Sequence, residues 1–223
     1  MRNRPFTGLG LGVTAAAIAL AGAPLAAAST PAPITHLQTA TEAVRLPAAD
    51  TCYDQTSGDT GSTWISSKFG HHNTQDNQGA DDFTLTKRCV VTSVVAGGAF
   101  PGDPATSVNV VFYKDNGGVP GKVVRHGNQK RNTFTWSGQG TLDITLGRRL
   151  KLKPGTYWVS VQPNVIDGSN DWLWGTVGTQ TGGPAMWRNP KGGFGFGCQT
   201  YTPLTQCAVF QTGPDDNFAI LSS

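Results

Sequence analysis

Alternation of apolar and polar residues is the feature that most limits how this chain can fold. Residues 107–113 (SVNVVFY) and 156–162 (TYWVSVQ) repeat with a period near two, which predicts β-strands with one face in a core. We expect both to be central strands of a sheet. Weaker candidates are residues 64–69, 82–85, 89–95, 122–125, 133–136, 142–146, 171–176, 185–188, 208–211 and 218–221.

The segments between these strands have the composition of turns. The chain contains 29 glycines and 14 prolines, and residues 115–121 (DNGGVPG) and 154–155 (PG) are typical turn sequences. No segment repeats with a long helical period. Roughly ten short strands therefore predict a single all-β domain, a β-sandwich or jelly roll.

The first residues have the pattern of a secretory signal peptide. Arg2 and Arg4 precede an apolar stretch that ends in the small residues Ala26, Ala27 and Ala28, so we predict a signal peptide over 1–28. Residues 29–50 are rich in Ala, Thr and Pro and predict a linker or pro-segment, followed by the β-sandwich domain over 51–223. We expect a secreted, extracellular protein without membrane insertion.

Four cysteines follow the predicted leader. In an oxidising compartment two disulfides are the expected outcome, and three pairings are formally open. We favour Cys52–Cys89, which ties the N-terminal arm to a core strand, and Cys198–Cys207, whose intervening segment contains Pro203 and can loop back. A zinc site is disfavoured because no C-x-x-C pair is present.

The charge balance argues against nucleic acid as a partner. The formal net charge is +3, and it falls to +1 without the leader because residues 1–28 contain two arginines and no acid. The densest basic cluster is Lys130 and Arg131, with Lys122 and Arg125 nearby. Phosphate-backbone binding depends on larger clusters, so we interpret this one as a solvated loop.

The sequence contains no recognised catalytic motif. Zinc-protease, nucleophile-elbow and phosphate-loop patterns are all absent, and Glu42 is the only glutamate. We therefore assign no catalytic residue and expect a non-catalytic protein. The enzymatic alternative is a secreted hydrolase with an unrecognised site built from aspartates, for which Asp81, Asp82, Asp215 and Asp216 are the candidates.

The same aspartates are the candidates for a hard cation. Asp81 and Asp82 begin one predicted strand, and Asp215, Asp216 and Asn217 precede the last. First and last strands often pair in a jelly roll, which would bring these oxygens together. Calcium needs six to eight oxygen ligands. The competing interpretation is that these residues simply form turns. Structural calcium is thus the one cofactor that we consider, and no other is expected.

Aromatic residues suggest a ligand surface. Trp172, Trp174, Trp187, Phe194 and Tyr201 lie close together in a glycine-rich part of the chain. If exposed, such side chains stack against sugar rings. If buried, they belong to the core, which is the commoner place for tryptophan in a sandwich.

Several short segments are similar to sequences of a known family. They are residues 80–84 (ADDFT), 111–121 (VFYKDNGGVPG), 154–161 (PGTYWVSV), 187–190 (WRNP), 192–195 (GGFG) and 216–219 (DNFA). Together they resemble bacterial extracellular β-sandwich modules of the choice-of-anchor kind. This resemblance implies an accessory or adhesion-like role without catalytic residues.

Three functions follow from these patterns. The first is a monomeric, non-catalytic protein that binds an extracellular glycan or cell-surface polymer through aromatics. The second is the aspartate-based hydrolase. The third is a structural or inhibitory protein that binds another protein through loops such as 115–121.

Overall fold

Fifteen β-strands account for nearly all regular structure in the computed structural model, which describes residues 50–102, 105–166, 171–207 and 213–222. The helical parts of these residues are one 3-10 turn (Asn73–Gln75) and one short α-helix, α1 (Leu204–Cys207). The strands are β1 (Asp50–Gln55), β2 (Asp59–Ile65), β3 (Lys68–Phe69), β4 (Gln78–Leu85), β5 (Cys89–Ala96), β6 (Gly98–Ala99), β7 (Ser107–Asp115), β8 (Pro120–Ser137), β9 (Thr141–Leu152), β10 (Gly155–Val165), β11 (Leu173–Val177), β12 (Met186–Arg188), β13 (Thr202–Pro203), β14 (Asp215–Asp216) and β15 (Phe218–Ser222).

Two sheets contain these strands. The larger has the order β1-β15-β5-β9-β8-β7-β10-β4-β12-β13, with β3 beside β10, and the smaller has the order β14-β11-β2, with β6 beside β11. Every pairing is antiparallel except the short pair of β3 and β10. The predicted all-β, β-sandwich class is therefore confirmed, although the strands outnumber the predicted ten.

The long strand β8 folds the larger sheet over on itself. Its first part pairs with β7 up to Asn132, and its last part pairs with β9 from Thr133 onward. The two halves pack face to face. Across their interface, Phe83 of β4 contacts Phe218 of β15 with ring centroids 6.2 Å apart. The smaller sheet adds Trp64 and Trp174 to the same core.

The predicted central strands are both found. β7 and β10 pair with each other over eight residues and lie between β8 and β4. Both faces of these strands are buried. Val108, Val110 and Phe112 of β7 join the main core, and Val111, Tyr113 and Trp158 form a second apolar cluster on the other face.

Several strand predictions were wrong in their limits. Residues 122–125 and 133–136 belong to one strand, β8. Residues 64–69 are divided between β2 and β3, because Ser66 and Ser67 turn inward: Ser66 Oγ donates to the carbonyl of Val161, and Ser67 N donates to Asn77 Oδ1 at 3.1 Å.

Some predictions concern residues that the structure does not describe. The predicted leader (1–28) and the linker (29–50) lie outside the described residues apart from Asp50, which already pairs with Ser222 in β1. The predicted strand at 208–211 also lies outside them.

Two disulfides join Cys52 to Cys89 and Cys198 to Cys207, the pairings favoured from the sequence. Disulfides are typical of proteins from an oxidising compartment. Within the described ranges, no helix is both long and apolar enough to cross a membrane.

Candidate functional site

The three tryptophans proposed as a binding platform are buried. Trp172 and Trp174 are 0% exposed and Trp187 is 3% exposed. Each indole nitrogen donates to a backbone carbonyl: Trp172 to Gly140 at 3.0 Å, Trp174 to Asn217 at 2.9 Å and Trp187 to Ile65 at 2.9 Å. Buried and hydrogen-bonded in this way, Trp172, Trp174 and Trp187 are core residues, which is the second of the two alternatives that the sequence left open.

The other two residues of that prediction are partly buried. Phe194 stacks on Phe196 with centroids 6.1 Å apart and also contacts Trp187. Tyr201 lies under the guanidinium of Arg188, 4.4 Å from the ring centroid, and its hydroxyl bonds that of Tyr113. Phe194 therefore borders the surface, whereas Tyr201 is occupied by contacts within the protein.

Two other aromatic side chains are the most exposed among the described residues: Phe196, a neighbour of the predicted aromatic cluster, and Trp136, which lies outside it. Trp136 is 48% exposed and Phe196 is 39% exposed. Trp136 contacts Phe100 edge-on at 6.2 Å. Phe100 in turn packs, with Phe134 and Phe194, on a small apolar cluster formed by Phe69, Ala105 and Val165.

That cluster lies beneath a groove of about 540 Å³, here called the large groove. The groove opens where β3, β7, β8 and β10 meet. Its polar lining residues are Lys68, His71, Thr106, Ser107, Arg131 and Asn164, and its apolar ones are Phe69, Val165 and Ile166. The large groove thus combines amide, hydroxyl and basic groups with one exposed apolar side chain, Ile166, above the buried ring of Phe69.

Hydrogen bonds between side chains fix the polar wall of the large groove. Asn164 Nδ2 donates to Ser107 Oγ at 3.0 Å, and Asn109 Nδ2 donates to Asn164 Oδ1 at 2.9 Å. Asn109 Oδ1 accepts the backbone N–H of Arg131 at 3.2 Å. These bonds hold the amide of Asn164 in one orientation at the groove.

A second depression of about 220 Å³, here called the small cleft, lies between β8 and β9. Its lining residues are His126, Asn128, Gln129, Lys130, Asn132, Gly147 and Arg148. Gln129 clamps the two strands, because its Nε2 donates to the carbonyl of Arg148 at 2.7 Å and its Oε1 accepts the N–H of Arg148 at 3.0 Å.

The four candidate aspartates come together in the interior. Asp81 and Asp216 are both 0% exposed, and the backbone N–H of Asp216 donates to Asp81 Oδ2 at 2.7 Å. Trp64 Nε1 donates to Asp216 Oδ1 at 2.7 Å, and Gln55 Nε2 donates to Asp81 Oδ2 at 2.9 Å. Asp82 and Asp215 are also buried.

Burial raises the pKa of all four carboxyls. The pKa of Asp82 and of Asp215 rises to about 6, chiefly because burial disfavours the charged form. The pKa of Asp81 and of Asp216 is raised well above its ordinary value by burial and then by the neighbouring aspartate charges. The cluster favours protonated carboxyls unless a cation neutralises it.

The aspartate cluster is also the candidate calcium site. In the described part of the chain, no three or more His, Cys, Asp or Glu side chains are arranged to hold a metal ion. Asp215 Oδ1, Asp216 Oδ2 and Asn217 Oδ1 are buried without a hydrogen-bond partner, yet they lie on successive residues of one extended segment. Structural calcium and the aspartate-based hydrolase both stay predictions.

Searches of the chain against protein-family models, curated proteins and solved structures found no significant match. Functional inference therefore rests on the large groove, the small cleft and the four buried aspartates.

Proposed function

We propose that this chain is a secreted, non-catalytic β-sandwich protein that binds an extracellular glycan or cell-surface polymer in the large groove. The supporting observation is the lining of that groove, where Asn164, Ser107 and Arg131 stand over the cluster of Phe69 and Val165. Secretion is inferred from the N-terminal sequence together with the two disulfides.

Sugars present hydroxyls at their edges and apolar C–H groups on their ring faces. Amide and hydroxyl side chains pair with the former, and aromatic rings stack on the latter. The large groove offers amide and hydroxyl groups beside the exposed apolar side chain of Ile166, and the exposed indole of Trp136 lies two contacts away through Phe100. This proposal replaces the buried tryptophans with the groove as the binding surface.

Quenching of the Trp136 fluorescence tests the proposal. The protein has six tryptophans, and the other five are buried, so a water-soluble quencher such as acrylamide reaches mainly Trp136. We expect a panel of soluble neutral and charged polysaccharides to contain one that reduces this quenching in a saturable manner. The Trp136→Phe variant should lose the signal but retain the fold.

Affinity electrophoresis of matched variants tests the groove itself. Asn164→Ala removes the oriented amide and should weaken binding by about tenfold, the effect of losing a hydrogen bond of roughly 1.4 kcal/mol. The control is Asn116→Ala in the exposed turn 115–121, which should bind as the wild type does. Retention by none of the polysaccharides, or equal weakening by both variants, would contradict binding in the large groove.

A further inference from the structure

The strand β8 contains two residues in an unfavourable backbone conformation, and each lines one of the two depressions. His126 (φ 62°) and Arg131 (φ 55°) are the non-glycine residues with positive φ in the described ranges. His126 lines the small cleft and Arg131 lines the large groove. Left-handed backbone at such residues is costly and concentrates at functional sites.

A β-bulge accounts for the position of Arg131. Val108 pairs with Asn132 and Val110 pairs with Gln129, so two residues of β8, Lys130 and Arg131, stand opposite the single residue Asn109 of β7. Asn109 Oδ1 accepts the N–H of Arg131 and holds the bulge in place. Bulges redirect side chains, and here Lys130 lines the small cleft while Arg131 lines the large groove.

Basic side chains surround this bulge. Among the described residues, the linings of the two depressions include Lys68, Lys130, Arg131 and Arg148 and no carboxylate. His126 Nδ1 lies 3.1 Å from a guanidinium nitrogen of Arg148. The sole ion pair found among the described residues joins Lys68 to Asp76 at 3.0 Å. Lys130, Arg131 and Arg148 therefore present their charges to the solvent without an acidic partner in the described part of the chain.

We propose that the polymer bound in the large groove is an acidic glycan, whose uronate carboxylates pair with Arg131 and with the basic groups around the bulge. This inference rests on the proposed function. A guanidinium binds a carboxylate through two parallel hydrogen bonds, and the amide of Asn164 at the groove suits the hydroxyls of the same sugars. A phosphate polymer fits less well, because few cations are present and amides lie between them.

The first test compares polymers that differ only in charge. Polygalacturonate and alginate are each paired with their fully esterified, neutral forms, and binding to the wild-type protein is measured by affinity electrophoresis and calorimetry. We expect at least one acidic form to bind about tenfold more tightly than its ester, with the difference shrinking between about 50 mM and about 300 mM NaCl as salt screens the charges.

Variants locate the binding charges. Arg131→Gln should weaken binding of the acidic polymer by about tenfold and leave binding of the ester unchanged. Lys122→Gln removes a charge from an exposed residue of the same strand that lines neither depression, so it should have little effect. Melting curves of both variants establish that each is folded. Lys130→Gln provides a second variant on the bulge if Arg131→Gln fails to fold.

The outcomes separate the two proposals. Equal affinity for the acidic and esterified forms overturns the acidic glycan but leaves glycan binding intact. Binding of neither form, together with binding of another glycan in the panel that depends on Asn164, also overturns only the acidic glycan. If Lys122→Gln weakens binding as much as Arg131→Gln, or polyphosphate binds as tightly as both uronates, the attraction is non-specific and the inference fails.

Discussion

The carboxyls of Asp82 and Asp215 hold the loop around Gly182 through hydrogen bonds. Asp82 Oδ1 accepts the N–H of Gly183 at 2.8 Å, and Asp215 Oδ2 accepts the N–H of Thr181. Gly182, between them, lies so close to Asp82 that an added Cβ would stand 2.3 Å from its Oδ2. The loop around Gly182 thus depends on two carboxyls whose pKa is raised to about 6.

These raised pKa values predict that stability falls as the pH rises. A carboxyl whose pKa is higher in the folded than in the unfolded state stabilises the fold fully at any pH below its unfolded pKa, which is near 4. For Asp82 and Asp215 this contribution is lost as the pH rises through about 6. We expect the melting temperature, measured in EDTA, to fall by roughly 5 °C between about pH 4 and about pH 7, which corresponds to on the order of 2 kcal/mol after allowance for solvent screening.

Asp82→Asn is the matched variant, because its amide oxygen still accepts from Gly183 while the group no longer titrates. It should make the pH dependence shallower, whereas Asp59→Asn at an exposed position should not. A melting temperature that rises steadily from about pH 4 to about pH 7 would contradict the assignment of raised pKa values.

Sequence patterns predicted part of the residue-scale picture. The proximity of Asp81 and Asp216 was predicted from their positions at the start of one predicted strand and just before the last, and the structure joins them directly. Those two strands, β4 and β15, do not pair with each other, because β15 lies between β1 and β5. The burial of Trp172 and Trp174 was favoured only by the usual place of tryptophan in a sandwich, because an alternating aromatic pattern by itself fits a core face and a surface equally well. Arg131 was noted only as part of a basic cluster, since a bulge leaves no periodic signal.

At the scale of elements, the two disulfides constrain segments of different length. Cys198 and Cys207 are separated by 9 residues, and their bridge closes the segment after the loop that carries Phe194 and Phe196. Cys52 and Cys89 are separated by 37 residues and connect β1 to β5. A longer closed loop removes more entropy from the unfolded chain.

The two bridges should therefore differ in their contribution to stability. Replacement of Cys52 and Cys89 by serine should cost about 4 kcal/mol, and replacement of Cys198 and Cys207 about 3 kcal/mol, by the chain-entropy relation. Urea unfolding of each double variant against the wild type measures the difference. A larger loss for the Cys198–Cys207 pair would show that native packing of its loop, rather than loop length, sets the effect.

Strand boundaries were predictable only where apolar and polar residues alternate regularly. β7 and β10 stand close to their predicted limits, but β8 was predicted as two strands because residues 126–132 carry mostly polar side chains. Gln129 and Asn132 instead satisfy backbone groups across the bulges: Asn132 Nδ2 donates to the carbonyl of Val108 at 3.0 Å. Such side-chain bonds replace regular ladder bonds and keep the strand continuous.

At the scale of the whole molecule, one apolar core connects both halves of the folded sheet. Phe218 of β15 contacts Tyr53, Phe83 and Trp174 with ring centroids 5.4 to 6.4 Å away. These partners lie on β1, β4 and β11. The all-β class was predictable from alternation and turns, but the fold of the sheet at β8 was not, because periodicity gives the buried face of a strand and not its neighbour.

Because the core is shared, we expect the described domain to unfold in one transition. Tryptophan fluorescence and far-ultraviolet circular dichroism should report the same urea midpoint, and Phe218→Ala should lower the free energy of unfolding by about 3–5 kcal/mol. The control is Val123→Ala at an exposed position of β8, with little expected change. Separate midpoints for the two probes would mean that the layers unfold independently.

The position of β15 also determines when the fold can be completed. β15 pairs with β1 on one side and β5 on the other, and Phe218, Ala219, Ile220 and Leu221 are wholly buried there. Both neighbours precede it by more than a hundred positions in the chain and are bridged by a disulfide. A chain that folds from its N-terminus thus leaves a gap between the edge strand β1 and β5 until β15 is added, and this long-range closure makes completion of the sheet a late event.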